Sequence, residues 1–187
     1  ARGNRRTPCS EVQAPQCEEV MRPDLPAGDL VADFARAKAA SVAEQLPEAL
    51  VLASDTLIEH EAAVLGKPRD LAEARSMLRQ LAGRVHLVKT AVTAICRVRQ
   101  FQRTEVSSAR VWIKPFDKDA HERYLATEDS LGKAGAYAIQ GPGVELIARL
   151  EGDFTTVVGF PLRVVAQLLT LGGMTVSVDV ESVYVRR

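Results

Sequence analysis

Two long runs of alternating side chains constrain the fold of this chain more than any other feature of its sequence. Residues 86–98 alternate between apolar or small side chains and polar ones, and residues 104–114 form a second strand-like run. A period of two is typical of β-strands. Because residues 100–103 are left as a short connection, the pattern predicts that the two strands pair antiparallel.

Helical periodicity occupies the flanking segments. Residues 30–46 place apolar side chains on one face after Asp29, a candidate N-cap, and residues 70–81 begin with a capping box formed by Asp70 and Glu73. Further helices are predicted over 117–127 and 161–171, and shorter strands over 50–53, 144–150 and 175–185. Strands and helices therefore intermix, which predicts an α/β or α+β fold with a mixed sheet.

Composition excludes several classes of protein. The 187 residues suit one domain, and the 24 Lys and Arg residues balance the 24 Asp and Glu residues. A neutral chain lacks the basic excess of a dedicated nucleic-acid surface, and no apolar stretch approaches the ~20 residues that span a membrane. Three scattered cysteines indicate neither a disulfide framework nor a cysteine zinc site. No apolar segment follows the basic amino terminus, so we expect a cytoplasmic protein.

The first candidate site residue is Asp55, which follows the short apolar run predicted as a strand at 50–53. Ligand sites of open α/β sheets lie beyond the carboxyl ends of strands. A carboxylate there can hold a divalent cation or activate a water molecule. The alternative is a plain turn or N-cap aspartate.

Two lysines are candidates for binding an anion. Lys38 falls on the apolar face of the predicted helix 30–46, where it either extends its charge to solvent or meets an anion. Lys67 stands between Gly66 and Pro68, in a loop that suits a phosphate but lacks the Walker pattern. The alternative for Lys67 is a solvated loop lysine.

The segment GKAGAYAIQGPG, residues 132–143, is rich in glycine and nearly free of charge. Its glycines permit close backbone approach to a ligand, Tyr137 offers a flat face, and Gln140 offers a paired donor and acceptor for a base edge. The alternative is a tightly packed structural segment. No histidine spacing typical of a metal site and no nucleophile motif accompany it.

Five motifs in order resemble the Maf family of nucleoside triphosphate pyrophosphatases: SDT, LGKP, EARSMLRQLAGRVHLVKTAV, GKAGAYAIQGPG and EGDFTTVVGFPL. The resemblance covers roughly residues 30–172. It implies one α/β domain over 1–187, with an elongated mixed sheet flanked by helices and two lobes around a nucleotide cleft. Within that domain, 1–29 is a divergent amino-terminal segment and 174–187 a strand-like tail, which could pair with its own sheet or form a homodimer.

The resemblance also implies a reaction and a set of residues. The family cleaves the α–β phosphoanhydride of a nucleotide with a divalent cation, Mg²⁺ or Mn²⁺. Asp55 would be the catalytic carboxylate and metal ligand, and Lys38 and Lys67 would hold the phosphates. Thr56 and Gln140 match the branch that hydrolyses dTTP and UTP. The expected partner is therefore a nucleoside triphosphate.

The amino terminus departs from the family pattern. Aligned without gaps, Arg6 takes the place of the specificity arginine, or Arg5 after a slip of one residue. The family's acidic V-D-E appears as Val20–Arg22, so a second cleft carboxylate is absent unless Glu18 or Glu19 replaces it. These changes motivate an alternative, a catalytically impaired Maf-like domain that binds nucleotide or a partner.

Overall fold

The computed structural model describes residues 11–22, 24–61 and 63–176. Its helices are α1 (Ala27–Gln45), α2 (Leu71–Leu81), α3 (Lys118–Leu125), α4 (Phe154–Val158) and α5 (Leu162–Leu171). Its strands are β1 (Val51–His60), β2 (Ala63–Leu65), β3 (Val85–Cys96), β4 (Phe101–Ile113) and β5 (Ile147–Glu151). Two 3₁₀ turns, Ala134–Ala136 and Gly141–Leu146, lie between α3 and β5.

The five described strands form one sheet in the order β2-β1-β3-β4-β5. This single α/β domain with flanking helices confirms the predicted class. The prediction of a mixed sheet is wrong for the described strands, because all four of their pairings are antiparallel. The reason lies in α2, which carries the chain from β2 to β3 on the other side of β1. β2 and β3 therefore run in the same direction, but they are not neighbours, because β1 lies between them and runs antiparallel to both.

The predicted hairpin is present as β3 and β4, whose register runs from Val85 opposite Trp112 to Cys96 opposite Phe101. The connection is residues 97–100, earlier than the predicted 100–103. The second strand starts earlier because Phe101 packs with the apolar side chains of α5 and adjacent strands. Gln100 takes a left-handed conformation, φ 49°, which closes the turn.

Helices cover both faces of this sheet. On one face, α1 buries Leu30, Val31 and Phe34 against Leu57 and Ala91 of the sheet. Burying a side chain of this size contributes about 1.5–3 kcal/mol, so this contact fixes α1 firmly on β1 and β3.

The opposite face carries the larger apolar cluster. There α2 buries Leu78 and Leu81 against Ile58 and Val88 of the sheet. The amino end of α2 is closed by Asp70, which accepts from the Glu73 backbone N–H at 2.8 Å, as the predicted capping box requires.

Strand β1 is longer than predicted, and this changes the position of Asp55. The predicted strand ended at residue 53, but β1 continues to His60 because Leu57 and Ile58 are buried on opposite faces and pair with β3. Asp55 therefore lies within the strand, and Thr56 points to the opposite face. Only Ile58–His60 pair with β2, so the described sheet leaves the preceding edge of β1 open.

Other boundaries also differ from the predictions. Asp29 lies in the first turn of α1, and the N-cap is Pro26, which has no side chain that could cap the helix. Between the strand predicted at 144–150 and the helix predicted at 161–171, the chain forms α4, because Asp153 caps its start by accepting from the Thr155 N–H. The strand predicted at 175–185 lies almost wholly outside the described residues. Within the described ranges, no helix is long and apolar enough to cross a membrane.

Candidate active site

A cavity of about 650 Å³ opens along the unpaired edge of β1. Five of the predicted site residues line it: Lys38, Asp55, Thr56, Lys67 and Gln140. Since Asp55 and Thr56 point to opposite faces of the sheet, the cavity reaches around the strand edge. It places a charged wall on the α1 side and a wall of hydroxyl and apolar groups on the other.

The charged wall centres on Lys38. Its Nζ donates to Asp55 Oδ1 at 2.6 Å and lies 2.6 Å from Glu19 Oε1. The Lys38 side chain is 14% exposed and that of Asp55 is 5% exposed. One ammonium thus bridges two carboxylates. The alternative interpretation, that Lys38 merely extends its charge to solvent, is therefore excluded.

Burial and pairing shift the pKa values of these three groups. Burial raises the pKa of Asp55, and the nearby Lys38 opposes that rise only in part. Burial alone would lower the pKa of Lys38, but hydrogen bonds to Asp55 and Glu19 outweigh it and raise the pKa. Burial alone would raise the pKa of Glu19, but its hydrogen bond to Lys38 outweighs burial and lowers the pKa. The lysine therefore stays protonated at neutral pH.

Asp55 also has an unused oxygen. Its Oδ2 is buried and makes no hydrogen bond with the described residues. A buried carboxylate oxygen without a partner is costly unless a ligand satisfies it. Hard cations such as Mg²⁺ take oxygen ligands and bind through one or two carboxylates plus substrate phosphates. Asp55 and Glu19 fit that donor set, and the described residues hold no cluster of three or more metal-binding side chains.

The amino-terminal segment brings Glu19 to the site. Residues 11–22 run beside α1, where the Gln16 N–H donates to Ser41 Oγ at 3.2 Å and Arg22 pairs with Asp33. Glu19 contacts Lys38, whereas Glu18 forms no ion pair with the described residues. Of the two glutamates considered as replacements for the missing carboxylate, Glu19 is therefore the one at the site.

The other candidate at the amino terminus, Arg6, lies outside the described residues, as does the alternative Arg5. Its role as the specificity arginine that binds the substrate stays a prediction. The described segment of the amino terminus enters the site only through its acidic residue.

Lys67 lines the cavity and is exposed, and its charge acts to lower the pKa of both Glu19 and Asp55. Among the described residues it makes no ion pair, so its charge is available to an anionic ligand. The loop that carries it is tied to the glycine-rich segment, because the Gly135 N–H donates to the Gly66 carbonyl at 2.9 Å. The two loops therefore form one continuous wall.

The glycine-rich segment divides between a packing role and a binding role. Tyr137 is 5% exposed, and its hydroxyl pairs with His86 Nε2 at 2.7 Å, so most of its ring belongs to the core. Gln140 is exposed at the cavity. Gly143 packs where an added Cβ would lie 2.2 Å from the Ala138 carbonyl oxygen, which is too close for any larger residue.

Two buried threonines that sequence patterns did not single out, Thr90 and Thr156, form a hydrogen-bonded series with Thr56. Thr56 Oγ1 lies 2.9 Å from Thr90 Oγ1, and Thr90 donates to the Thr156 carbonyl at 2.7 Å. Thr90 and Thr156 are fully buried. Their alternation with apolar neighbours marked them only as strand or loop residues, and no local pattern distinguishes a buried threonine that binds another hydroxyl.

Two further charged residues line the cavity and were also missed. Lys133 Nζ donates to Asp129 Oδ1 at 2.9 Å, and both lie at the rim beside the glycine-rich segment. Lys133 was visible in the GKAG sequence, where a lysine among glycines and alanines stands out. Its pairing with Asp129, four residues earlier, is the i,i+4 spacing of a helical turn.

Known proteins match this chain over most of its length. The sequence model of the family described as "Maf-like protein" matches residues 4–171. A dTTP/UTP pyrophosphatase of Pelotomaculum thermopropionicum is 41% identical over 152 residues, which are 81% of this chain and 80% of that protein. A dTTP/UTP pyrophosphatase of Moorella thermoacetica is 41% identical over 165 residues, 88% of this chain and 85% of that protein.

A third relative gives the same result. The dTTP/UTP pyrophosphatase of Shouchella clausii is 40% identical over 157 residues, 84% of this chain and 81% of that protein. The family match extends over nine-tenths of the sequence and includes the helix, strand and loops that line the cavity. With the order of its five motifs, this agreement means that the chain belongs to the Maf family.

Proposed function

We propose that this chain is a metal-dependent nucleoside triphosphate pyrophosphatase that hydrolyses dTTP and UTP to the monophosphate and pyrophosphate. The observation that carries the proposal is the cluster of Lys38, Asp55 and Glu19 at one wall of a cavity large enough for a nucleotide. The names of the relatives at about 40% identity supply the substrate class.

Phosphoanhydride hydrolysis depends mainly on positioning and on stabilising charge. In the proposed reaction, the water oxygen bonds to the α phosphorus, the bond from that phosphorus to the α–β bridging oxygen breaks, and pyrophosphate leaves with the bridging oxygen. Asp55 accepts the proton of the attacking water through its unpaired Oδ2. This oxygen is free to do so, because Oδ1 is the one that Lys38 holds.

The two lysines would divide the phosphate charge. Lys38 stays protonated beside its carboxylates, and Lys67 is an exposed cation that lines the same cavity. The two cations hold a triphosphate at the edge of β1, with its scissile link near Asp55. Each such electrostatic contact at a preorganised site contributes about 2–4 kcal/mol to the barrier reduction.

Asp55 and Glu19 would hold the divalent cation, Asp55 through Oδ1, which Lys38 contacts before the ion binds, so that Oδ2 stays available for the proton. Bound there with the substrate phosphates, such an ion polarises phosphoryl oxygens and neutralises the charge that develops on them. Before binding, Lys38 supplies the neutralising charge to both carboxylates. The residues therefore keep the site assembled in the absence of the ion.

Base recognition would fall to the other wall. Thr56 lines the cavity on that side and Gln140 stands on the glycine-rich loop. The N–H groups of a glutamine amide can donate to a carbonyl oxygen, and uracil and thymine each carry two such oxygens beside their N–H. The apolar Val157 and Ile139 complete this part of the cavity.

Product analysis tests the proposal. The protein is incubated with each common nucleoside triphosphate and Mg²⁺ or Mn²⁺, and the products are separated by chromatography. UTP and dTTP should give the monophosphate and pyrophosphate in equal amounts, and a chelator should abolish both. Release of the diphosphate and inorganic phosphate would contradict the reaction. No turnover with intact nucleotide binding would favour the catalytically impaired alternative.

A further inference from the structure

A series of hydrogen-bonded hydroxyl residues crosses the sheet behind the cavity, fully buried at its centre and partly exposed at both ends. It starts at Thr56 on β1, continues through Thr90 on β3 to Thr156 on α4, and ends at Ser107 on β4. Ser107 Oγ lies 2.6 Å from Thr156 Oγ1. Three of these four groups lie away from the cavity, so packing alone would be served as well by valine or alanine.

Counting protons fixes the direction of the first bond in this series. A threonine hydroxyl has one proton to donate. Thr90 spends that proton on the Thr156 carbonyl, which can only accept. The bond between Thr56 and Thr90 therefore has Thr56 as donor. Thr56 has then used its own proton, and only its lone pairs remain for a ligand.

The end of α4 keeps this arrangement in place. The Thr156 carbonyl also accepts the Gly159 N–H at 3.1 Å, which uses both of its lone pairs. Gly159 is left-handed, φ +100°, and an added Cβ would lie 3.2 Å from Thr56 Oγ1. Glycine thus allows the helix end to close over the hydroxyl without displacing it.

We propose that Thr90 is a positioning residue that makes Thr56 a hydrogen-bond acceptor towards the cavity, so that the site favours bases with an imide N–H. This inference rests on the proposed function, since it takes a nucleotide as the ligand. Uracil and thymine carry a proton on N3, whereas cytosine presents a lone pair there. A hydroxyl that can only accept binds the N3–H of uracil or thymine. With cytosine, its lone pair would face the lone pair on N3, which is unfavourable.

The test compares binding of non-hydrolysable uridine and cytidine triphosphate analogues, each with a methylene between the α and β phosphorus atoms. Calorimetry with Mg²⁺ gives the ratio of the two Kd values for the wild-type protein, Thr90→Val and Thr90→Ser. Valine has the shape of threonine but cannot accept from Thr56, which can then turn its proton to the cavity. We expect Thr90→Val to reduce the preference for uridine by about three- to ten-fold, the range of one neutral hydrogen bond. Thr90→Ser should restore it.

Thr93→Val is the matched control. Thr93 lies on the same strand, is equally buried, and also binds a threonine hydroxyl, Thr104 Oγ1 at 2.9 Å, but lies outside the cavity lining. It should lower thermal stability about as much as Thr90→Val and leave the Kd ratio unchanged. Equal changes of the ratio in both variants would overturn the proposal, because they would indicate a general structural effect.

Other outcomes also decide the question. An unchanged ratio in Thr90→Val would overturn the proposal, and so would an equal loss of affinity for both analogues, because the hydroxyl would then not distinguish the bases. Failure of either analogue to bind would overturn it together with the nucleotide assignment. Because the measurement is of binding, absence of turnover alone contradicts the proposed reaction and leaves this test intact.

Discussion

At the scale of single residues, the site depends on one ammonium placed between two carboxylates. Lys38 is 14% exposed and contacts Asp55 and Glu19 at 2.6 Å each. Removing one partner of a buried pair costs more than the pair contributes, because the remaining charge stays desolvated. The effect of replacing Lys38 or one of its carboxylate partners therefore depends on which residue is present at the other position.

A double-mutant cycle on Lys38 and Asp55 checks this dependence. Lys38→Met should lower the free energy of unfolding at neutral pH by about 3–5 kcal/mol, because Asp55 is left buried and unpaired. Adding Asp55→Asn should recover at least ~1 kcal/mol of that loss. Urea denaturation of the four proteins measures both effects. Additive losses would contradict the coupling.

A second residue, His86, gives the fold a defined sensitivity to acid. Burial, with a smaller contribution from His60 on the adjacent strand, lowers its pKa from 6.5 to about 4. Below pH 6.5 the unfolded state thus binds more protons than the folded state, and stability falls as the pH drops towards 4. The expected loss is about 3 kcal/mol across that window.

The His86→Gln variant tests this prediction. Glutamine can still form a hydrogen bond with the Tyr137 hydroxyl but does not titrate, so the stability of the variant should change less between pH 6.5 and pH 4. Urea midpoints at half-unit pH steps supply the comparison with the wild-type protein. The same slope in both proteins would assign the acid sensitivity to other groups.

At the scale of elements, the open edge of β1 determines where the cavity lies. β2 covers only Ile58–His60, and the strand edge before it faces the cavity. The loop from Gly132 to Gly143 forms the opposite wall, held by the Gly135 N–H bond to Gly66. The shape of that loop matters because it carries Gln140.

Gly143→Ala tests how closely that loop is constrained. The added Cβ would meet the Ala138 carbonyl oxygen at 2.2 Å, so the backbone between the two residues must move. We expect a loss of about 1–3 kcal/mol in unfolding free energy and weaker binding of UTP.

Gly66→Ala is the control for that substitution. An added Cβ there meets nothing within 4 Å, so its melting temperature should stay close to wild type. Thermal melts and UTP titrations of both variants decide the matter. Equal stability of the two variants would show that the loop adapts freely.

Much of the fold could be predicted from the sequence, because many of its elements depend on patterns among neighbouring residues. The hairpin of β3 and β4 and the capping box at Asp70 need only neighbouring residues. The extension of β1 through Asp55 was missed because polar residues interrupt its apolar pattern, and pairing with β3 decides its length. The contact of Glu19 with Lys38 and the bond of Thr90 to Thr56 join distant segments, which no local pattern specifies.

At the scale of the whole molecule, the amino-terminal segment completes the charged wall. Residues 11–22 follow α1 and contribute Glu19, so the site draws on a part of the chain outside the sheet. Only one of the two adjacent glutamates makes this contact: Glu19 Oε1 lies 2.6 Å from Lys38 Nζ, and Glu18 forms no ion pair with the described residues. The pair therefore provides its own comparison.

Substitution of these neighbours tests that contribution. Glu19→Gln should raise the Mg²⁺ concentration needed for half-maximal activity by about ten-fold, because the cation loses one of two carboxylates. Glu18→Gln should leave it unchanged. Activity is measured across a Mg²⁺ titration at saturating UTP. A similar shift in both variants would assign the effect to overall charge.

The most direct test of the account is the rate of pyrophosphate release from UTP by Asp55→Asn. Asparagine keeps the shape of the side chain but cannot take the proton of the attacking water, so kcat should fall by about 10²–10³. Asp119→Asn, an exposed aspartate in the first turn of α3, should retain wild-type kcat. Activity of Asp55→Asn within a few-fold of wild type, in folded protein, would contradict the assignment of Asp55 as the catalytic carboxylate.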